Sequence, residues 1–158
     1  MPAFAVEEFT FEDALAIAQL LQRVWSSLTE YPPAWRAQRT LSTEEIRQEM
    51  REGGFRYFGI RAVGHIVGVY KLLIGKEILG EHQAVDPVYR RKGLARLMYE
   101  QFLELGRQLG KPNCINLLVT NKKMIAFVTR LGFCPSGDPY EQYPGMFVQK
   151  FCFYHETE

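Results

Sequence analysis

Residues 1–158 are predicted to form one mixed α/β domain, on three observations. Alternating or apolar strand-like runs and 3.6-period helical runs interleave in the order β-α-α-β-β-β-α-β-α-β. The chain is 158 residues long, the usual size of one domain. Its 47% hydrophobic and 13% aromatic content can fill a core.

Ala3 to Thr10 reads as the first strand. Thr10-Phe11-Glu12-Asp13 is a capping-box variant with Asp in place of Glu or Gln. The helix behind it is expected to run to about Leu28, with Ile17, Leu21, Val24 and Leu28 on one face. Residues 29–41, holding Tyr31, Pro32, Pro33 and Trp35, read as an irregular connection. Ser42-Thr43-Glu44-Glu45 is a full capping box and opens a short helix stopped by Gly53-Gly54.

Three strands follow. Phe55 to Ala62 and Ile66 to Ile74 flank a tight turn at Val63-Gly64-His65, and Lys76 to Val85 is the third. The main helix is predicted from Gly93 to Leu109. Its apolar stripe is Leu94, Leu97, Met98, Phe102, Leu105 and Leu109, and Gly110 with Pro112 ends it. Cys114 to Thr120 is apolar, as in a buried strand. Asn121 caps a short helix ending at Leu131-Gly132, and Gly145 to Tyr154 is the last strand. Residues 134–145 between them read as a loop.

Composition excludes several classes. A formal net charge of +1 gives no global pull toward nucleic acid or an anionic membrane. No apolar run approaches the ~18 residues of a membrane helix, and Met1 to Glu8 lacks the character of a signal peptide. His65, His82 and His155 show no metal-ligand spacing, so no metal is predicted. Cys114, Cys134 and Cys152 are an odd set, read as free thiols of a reducing cytoplasm.

The segment Val85-Asp86-Pro87-Val88-Tyr89-Arg90-Arg91-Lys92-Gly93-Leu94-Ala95-Arg96 carries the chemistry. It follows a strand, holds three adjacent cations and a glycine, and opens an amphipathic helix. Free N–H groups at a helix start beside cations make an anion site. Cations there oppose the helix macrodipole, a cost that a bound anion removes.

Arg90-x-x-Gly93-x-Ala95 resembles the phosphate loop Gln/Arg-x-x-Gly-x-Gly/Ala of the GCN5-related N-acetyltransferase (GNAT) family. The strand ending at Val85, Asn121 one residue past the next strand, and Leu131-Gly132-Phe133 closing the short helix agree with it. The hairpin at 55–74, with Gly64 and Gly68, is similar to that family's second and third strands. The resemblance covers nearly the whole chain and is strongest over 78–133. It implies a mostly antiparallel sheet flanked by helices, with two central strands splayed apart.

It also implies acetyl-CoA as acyl donor. On that resemblance the backbone of Gln83, Ala84 and Val85 holds the pantetheine arm like an added strand. Arg90, Arg91, Lys92, Gly93, Leu94, Ala95 and Arg96 cradle the pyrophosphate, with Gly93 permitting close approach. Asn121 and Phe127 line the far side of the cofactor arm. Glu81, four residues before Val85 and so on the same strand face, is the expected general base. His82, on the opposite face, is the next candidate. The family's frequent tyrosine falls on Val128, which cannot donate a proton; Tyr140 and Tyr143 are the phenols that could reach in instead.

The acceptor is expected to be a small-molecule or protein amine. Glu30, Asp138 and Glu141 stand among Tyr31, Trp35, Tyr140 and Tyr143 in the segments expected to meet it, a mix suited to a cation. Family members are often homodimers, which the resemblance extends to this chain. Two further classes compete with an acyltransferase. One is an acyl-CoA-binding sensor with little transfer activity, kept open by Val128. The other is a nucleotide binder, against which stands the absence of GxxxxGK[ST].

Overall fold

A computed structural model describes residues 3–156, the side chain of His82 lying outside the described set. Its elements are β1 (Val6–Glu8), α1 (Ala14–Ser27), α2 (Pro33–Arg39), α3 (Thr43–Arg51), β2 (Arg56–Ala62), β3 (His65–Ile74), β4 (Ile78–Val85), α4 (Leu94–Leu109), β5 (Asn113–Leu118), α5 (Lys122–Leu131), β6 (Cys134–Tyr143) and β7 (Met146–Phe153). The seven strands make one sheet in the order β1-β2-β3-β4-β5-β7-β6. β1–β2, β2–β3, β5–β7 and β6–β7 pair antiparallel, and β4–β5 in parallel. This is the mixed, mostly antiparallel α/β fold expected. Contacts group the chain into two compact units, residues 1–73 with 82–101, and residues 74–81 with 102–158.

In the first unit the core forms where α1 lies against the sheet. Ile17, Leu20, Leu21 and Val24 recur at helical spacing and are buried with Phe9, Ile46, Tyr57, Val69 and Ala84. Each large apolar side chain removed from water contributes about 1.5–3 kcal/mol. α3 is tied to the strands by charge. The Glu49 carboxylate accepts from the Tyr57 hydroxyl and, through both oxygens, from Lys71 Nζ at 3.0 Å. Lys71 is 3% exposed, and its ammonium also sits 4.4 Å from the Phe55 ring centroid. Gly59 is required by close approach: a Cβ there would lie 2.0 Å from the Gly68 carbonyl oxygen.

In the second unit Asn113 is fully buried and satisfied. Its Nδ2 donates to the Phe102 carbonyl at 2.7 Å, and its Oδ1 lies 2.7 Å from His155 Nε2. Gly80 lies beneath the Phe102 ring, which a Cβ would meet at 2.9 Å.

The structure corrects several expectations. The first strand is confined to Val6–Glu8, and a 3-10 turn at Phe11–Asp13 precedes α1. The Thr10 N–H still donates to the Asp13 carboxylate at 2.8 Å, as a capping box requires. Residues 29–41 are not irregular throughout. Pro33 supplies a preset φ at the first position of α2, Arg36 and Arg39 suit its C-terminal end, and Trp35 is buried.

Residues 134–145 are largely a strand, β6, carrying Tyr140 and Tyr143. Nearly every β6 residue is exposed, and its pairing with β7 shifts at Ser136/Tyr140 and Glu141/Tyr143. That is how an edge strand accommodates Pro135 and Pro139. Cys114 and Cys152 are not free thiols. They face each other across β5 and β7 as a fully buried disulfide, leaving Cys134 free and exposed.

The β2–β3 hairpin turns on two residues, Val63 at φ +52° and Gly64 at φ +77°, between the paired Ala62 and His65. Two positive φ values are the type I′ signature, and a β-branched residue is strained there. Val63 is 90% exposed, so its side chain contributes no packing. Val63→Asn is expected to stabilise the protein by about 1 kcal/mol, raising the thermal midpoint by about 2–4 °C. Thermal denaturation followed by circular dichroism checks this, and an unchanged or lower midpoint contradicts it.

Candidate active site

The first unit carries the loop singled out in the sequence. β4 ends at Val85, with Ala84 buried and Gln83 and Val85 half-buried. Asp86 turns the strand into the loop. Its N–H donates to the Val67 carbonyl of β3 at 2.8 Å, and its carbonyl accepts from Tyr89 N–H at 2.8 Å. Its carboxylate accepts from Val88 N–H at 3.0 Å and from Arg23 Nη2 of α1 at 3.2 Å. Pro87 opens the 3-10 turn Pro87–Tyr89, at a position where a missing N–H costs nothing.

After Arg90 the backbone enters the left-handed region twice, at Arg91 (φ +64°) and Gly93 (φ +81°). For arginine this conformation costs about 1–2 kcal/mol. Two left-handed residues this close together turn the chain sharply just ahead of α4. The Gly93 carbonyl accepts from Leu97 N–H at 3.1 Å, so Gly93 is the boundary residue of α4. A Cβ on Gly93 would meet nothing within 4 Å. Space over the helix start is therefore open, and the glycine serves backbone conformation and access rather than packing.

The predicted cofactor residues divide by role. Arg90, Arg91, Lys92 and Gly93 are exposed. Among the described residues the three cations have no carboxylate partner. Arg96 is exposed too, but its Nε pairs with Glu100 at 3.0 Å one helical turn on. Leu94 is 1% exposed and anchors the first turn of α4, so only its N–H can face a ligand. Ala95 is half-buried. Met98, also fully buried, packs near Gly68 of β3, where a Cβ would meet its Cε at 3.2 Å. Burial pushes the phenols of Tyr70 and Tyr99 well above the ordinary tyrosine range, so neither ionises near neutral pH.

Trp35 does not offer its ring to a ligand cation, as the sequence suggested. It is 3% exposed, and the Arg39 guanidinium already covers it, 3.4 Å from the ring centroid.

The second unit holds the remaining predicted residues. Glu81 is half-buried on β4, one residue past the parallel register of Ile78–Gly80 with Asn113–Ile115. Asn121 caps α5, its Oδ1 accepting from Met124 N–H at 3.3 Å, and Phe127 is half-buried. Val128 is fully buried, and its aliphatic side chain has no ionisable proton to give. Gly132 ends α5 in the left-handed region, with Phe133 N–H donating to the Val128 carbonyl at 3.0 Å. Tyr140 OH donates to Asn116 Oδ1 at 3.2 Å. Asp86 was read in the sequence only as part of the loop segment, with no role for its carboxylate, and Arg23 was not singled out. Asp-Pro at a strand end was the available signal for Asp86, whereas nothing local marks Arg23.

A model of the acetyltransferase (GNAT) family matches residues 17–133. No curated protein matches in sequence. Among solved structures, the ribosomal-protein-S18-alanine N-acetyltransferase of Escherichia coli superposes with TM-score 0.76 at 18% identity, covering 99% of this chain and 97% of that one. The PaiA N-acetyltransferase of Thermoplasma acidophilum, in complex with coenzyme A, gives 0.72 at 13% identity, covering 94% and 98%. YncA of Salmonella typhimurium, solved with its cofactor acetyl-CoA, gives 0.74 at 17% identity, covering 99% and 96%. At these identities the likeness is one of fold. The family match spans most of the chain and includes the loop, and the chain belongs to the GNAT acetyltransferase family.

Proposed function

We propose that this protein transfers an acetyl group from acetyl-CoA to a primary amine, by direct attack of the amine while donor and acceptor are both bound. The observation that carries this reading is the loop at 90–93. Three exposed cations without carboxylate partners among the described residues adjoin a helix start whose approach twice adopts the left-handed region, with open space above Gly93. A pyrophosphate fits that arrangement, and two of the similar folds were solved with coenzyme A or acetyl-CoA.

Bound acetyl-CoA supplies an activated acyl carbon, whose bond to sulfur breaks as the bond to the amine nitrogen forms. The chain's residues do the rest. The N–H groups of 91–96 and the side chains of Arg90, Arg91 and Lys92 hold the phosphates. The backbone of Gln83, Ala84 and Val85 orients the thioester arm, and N–H groups near Ala84 and Val85 stabilise charge on the carbonyl oxygen. Asn121 spends Oδ1 on its cap and keeps its amide NH₂ as a donor for the cofactor arm, beside Phe127. Glu81 accepts the proton of the amine, which arrives largely as ammonium at neutral pH.

Val128 supplies no proton to the departing sulfur. A thiol's ordinary pKa of about 8.5 makes a thiolate a tolerable leaving group at neutral pH, aided by water. The same buried valine favours a second reading, an acyl-CoA-binding module with little turnover. Thiol release from acetyl-CoA across an amine panel separates the two: turnover supports the transferase, and tight CoA binding without turnover on any amine supports the sensor.

Gly93→Glu places a carboxylate in the open space over the helix start. Coenzyme A affinity by calorimetry is expected to fall by about 100-fold or more, because a fixed charge replaces the anion's place. A folded mutant with unchanged affinity overturns the loop assignment. Glu81→Gln is expected to lower kcat by about 100-fold while leaving coenzyme A affinity within about threefold. An unchanged kcat, or loss of affinity without loss of kcat, contradicts Glu81 as the base.

A further inference from the structure

We propose that Arg23 is a positioning residue for the donor, neutralising the Asp86 carboxylate that stands at the root of the phosphate loop. This rests on the reading of residues 90–96 as the coenzyme A loop. Asp86 is needed where the strand becomes the loop. Its N–H is fixed to β3, and its carboxylate caps the 3-10 turn that aims Arg90. That same carboxylate has the wrong sign for its place. The three-residue 3-10 turn Pro87–Tyr89 separates it from Arg90, a rise of about 6 Å, which is within about one Debye length at physiological salt. Left alone, it would offset part of the attraction that the loop exerts on a phosphate.

Arg23 resolves the conflict. It reaches from the last turns of α1, 63 positions away in sequence, to put Nη2 3.2 Å from Asp86 Oδ2. The Asp86 side chain is 13% exposed and that of Arg23 49%, so the pair is half-sheltered rather than freely solvated. The two carboxylate oxygens are divided between tasks: Oδ1 holds Val88 N–H and Oδ2 holds the guanidinium. The cap can therefore persist when the ion pair is removed, which separates the electrostatic role from a structural one.

The test measures coenzyme A affinity by calorimetry at low salt for four proteins. Arg23→Gln, which leaves the Asp86 charge uncompensated, is expected to bind about three- to tenfold more weakly than wild type. Arg23→Lys keeps the charge and is expected to recover affinity to within about twofold. Asp86→Asn added to Arg23→Gln removes the offending charge while retaining a capping oxygen, and is expected to restore most of the loss. Raising salt to about 0.5 M should collapse the difference between Arg23→Gln and wild type. Wild-type affinity in Arg23→Gln overturns the proposal. So does a double variant as weak as the single one, or a deficit indifferent to salt, either of which assigns Arg23 to packing. Failure of the wild-type protein to bind coenzyme A overturns the loop assignment itself, and this proposal with it.

Discussion

The reading of the donor site depends on one backbone constraint. Arg91 and Gly93 must both occupy the left-handed region for the loop to leave β4, turn, and present the open start of α4 to solvent. Glycine does this without cost, but arginine does not. A strained arginine persists where surrounding structure holds it, and here both ends are held. Asp86 is fixed to β3, and Leu94 is sunk in the core at the first turn of α4. The cations between these anchors are unfavourable beside a helix N-terminus. In the proposed reading, a phosphate is the partner that turns both the strain and the charge into binding.

Charge at the root of the loop follows the same logic. A carboxylate makes the best cap for the turn after β4, yet it weakens the site that the turn serves. Pairing it with Arg23 keeps the geometry and removes the repulsion. Elsewhere in the first unit a carboxylate serves a different end. Glu49 gathers Tyr57 and the buried Lys71, and fixes α3 on the strands. Neither arrangement is local in sequence.

That locality decides what could be read beforehand. The loop was legible because its cations and glycine are contiguous and sit between a strand and a helix. The α4 stripe was legible by its period, and Leu94, Met98 and Phe102 are buried as expected, although Leu109 at its end is 44% exposed. α2 was hidden because Pro32 and Pro33 read as irregular chain, whereas Pro33 starts the helix. β6 was hidden because an exposed edge strand with two prolines and shifted register has no alternation to detect. The Cys114–Cys152 pair needed the β5–β7 register, and Arg23 needed the tertiary fold. Val128 was legible as a missing proton donor, and it is completely buried.

The central claim is that the backbone N–H groups of residues 91–96 bind the phosphates of coenzyme A. Titration of the isotope-labelled protein with coenzyme A, followed through its assigned backbone amide resonances, tests it most directly. The account predicts that the amides of residues 91–96 shift most, saturably and with the affinity found by calorimetry. Saturable binding that leaves those amides unmoved would contradict it.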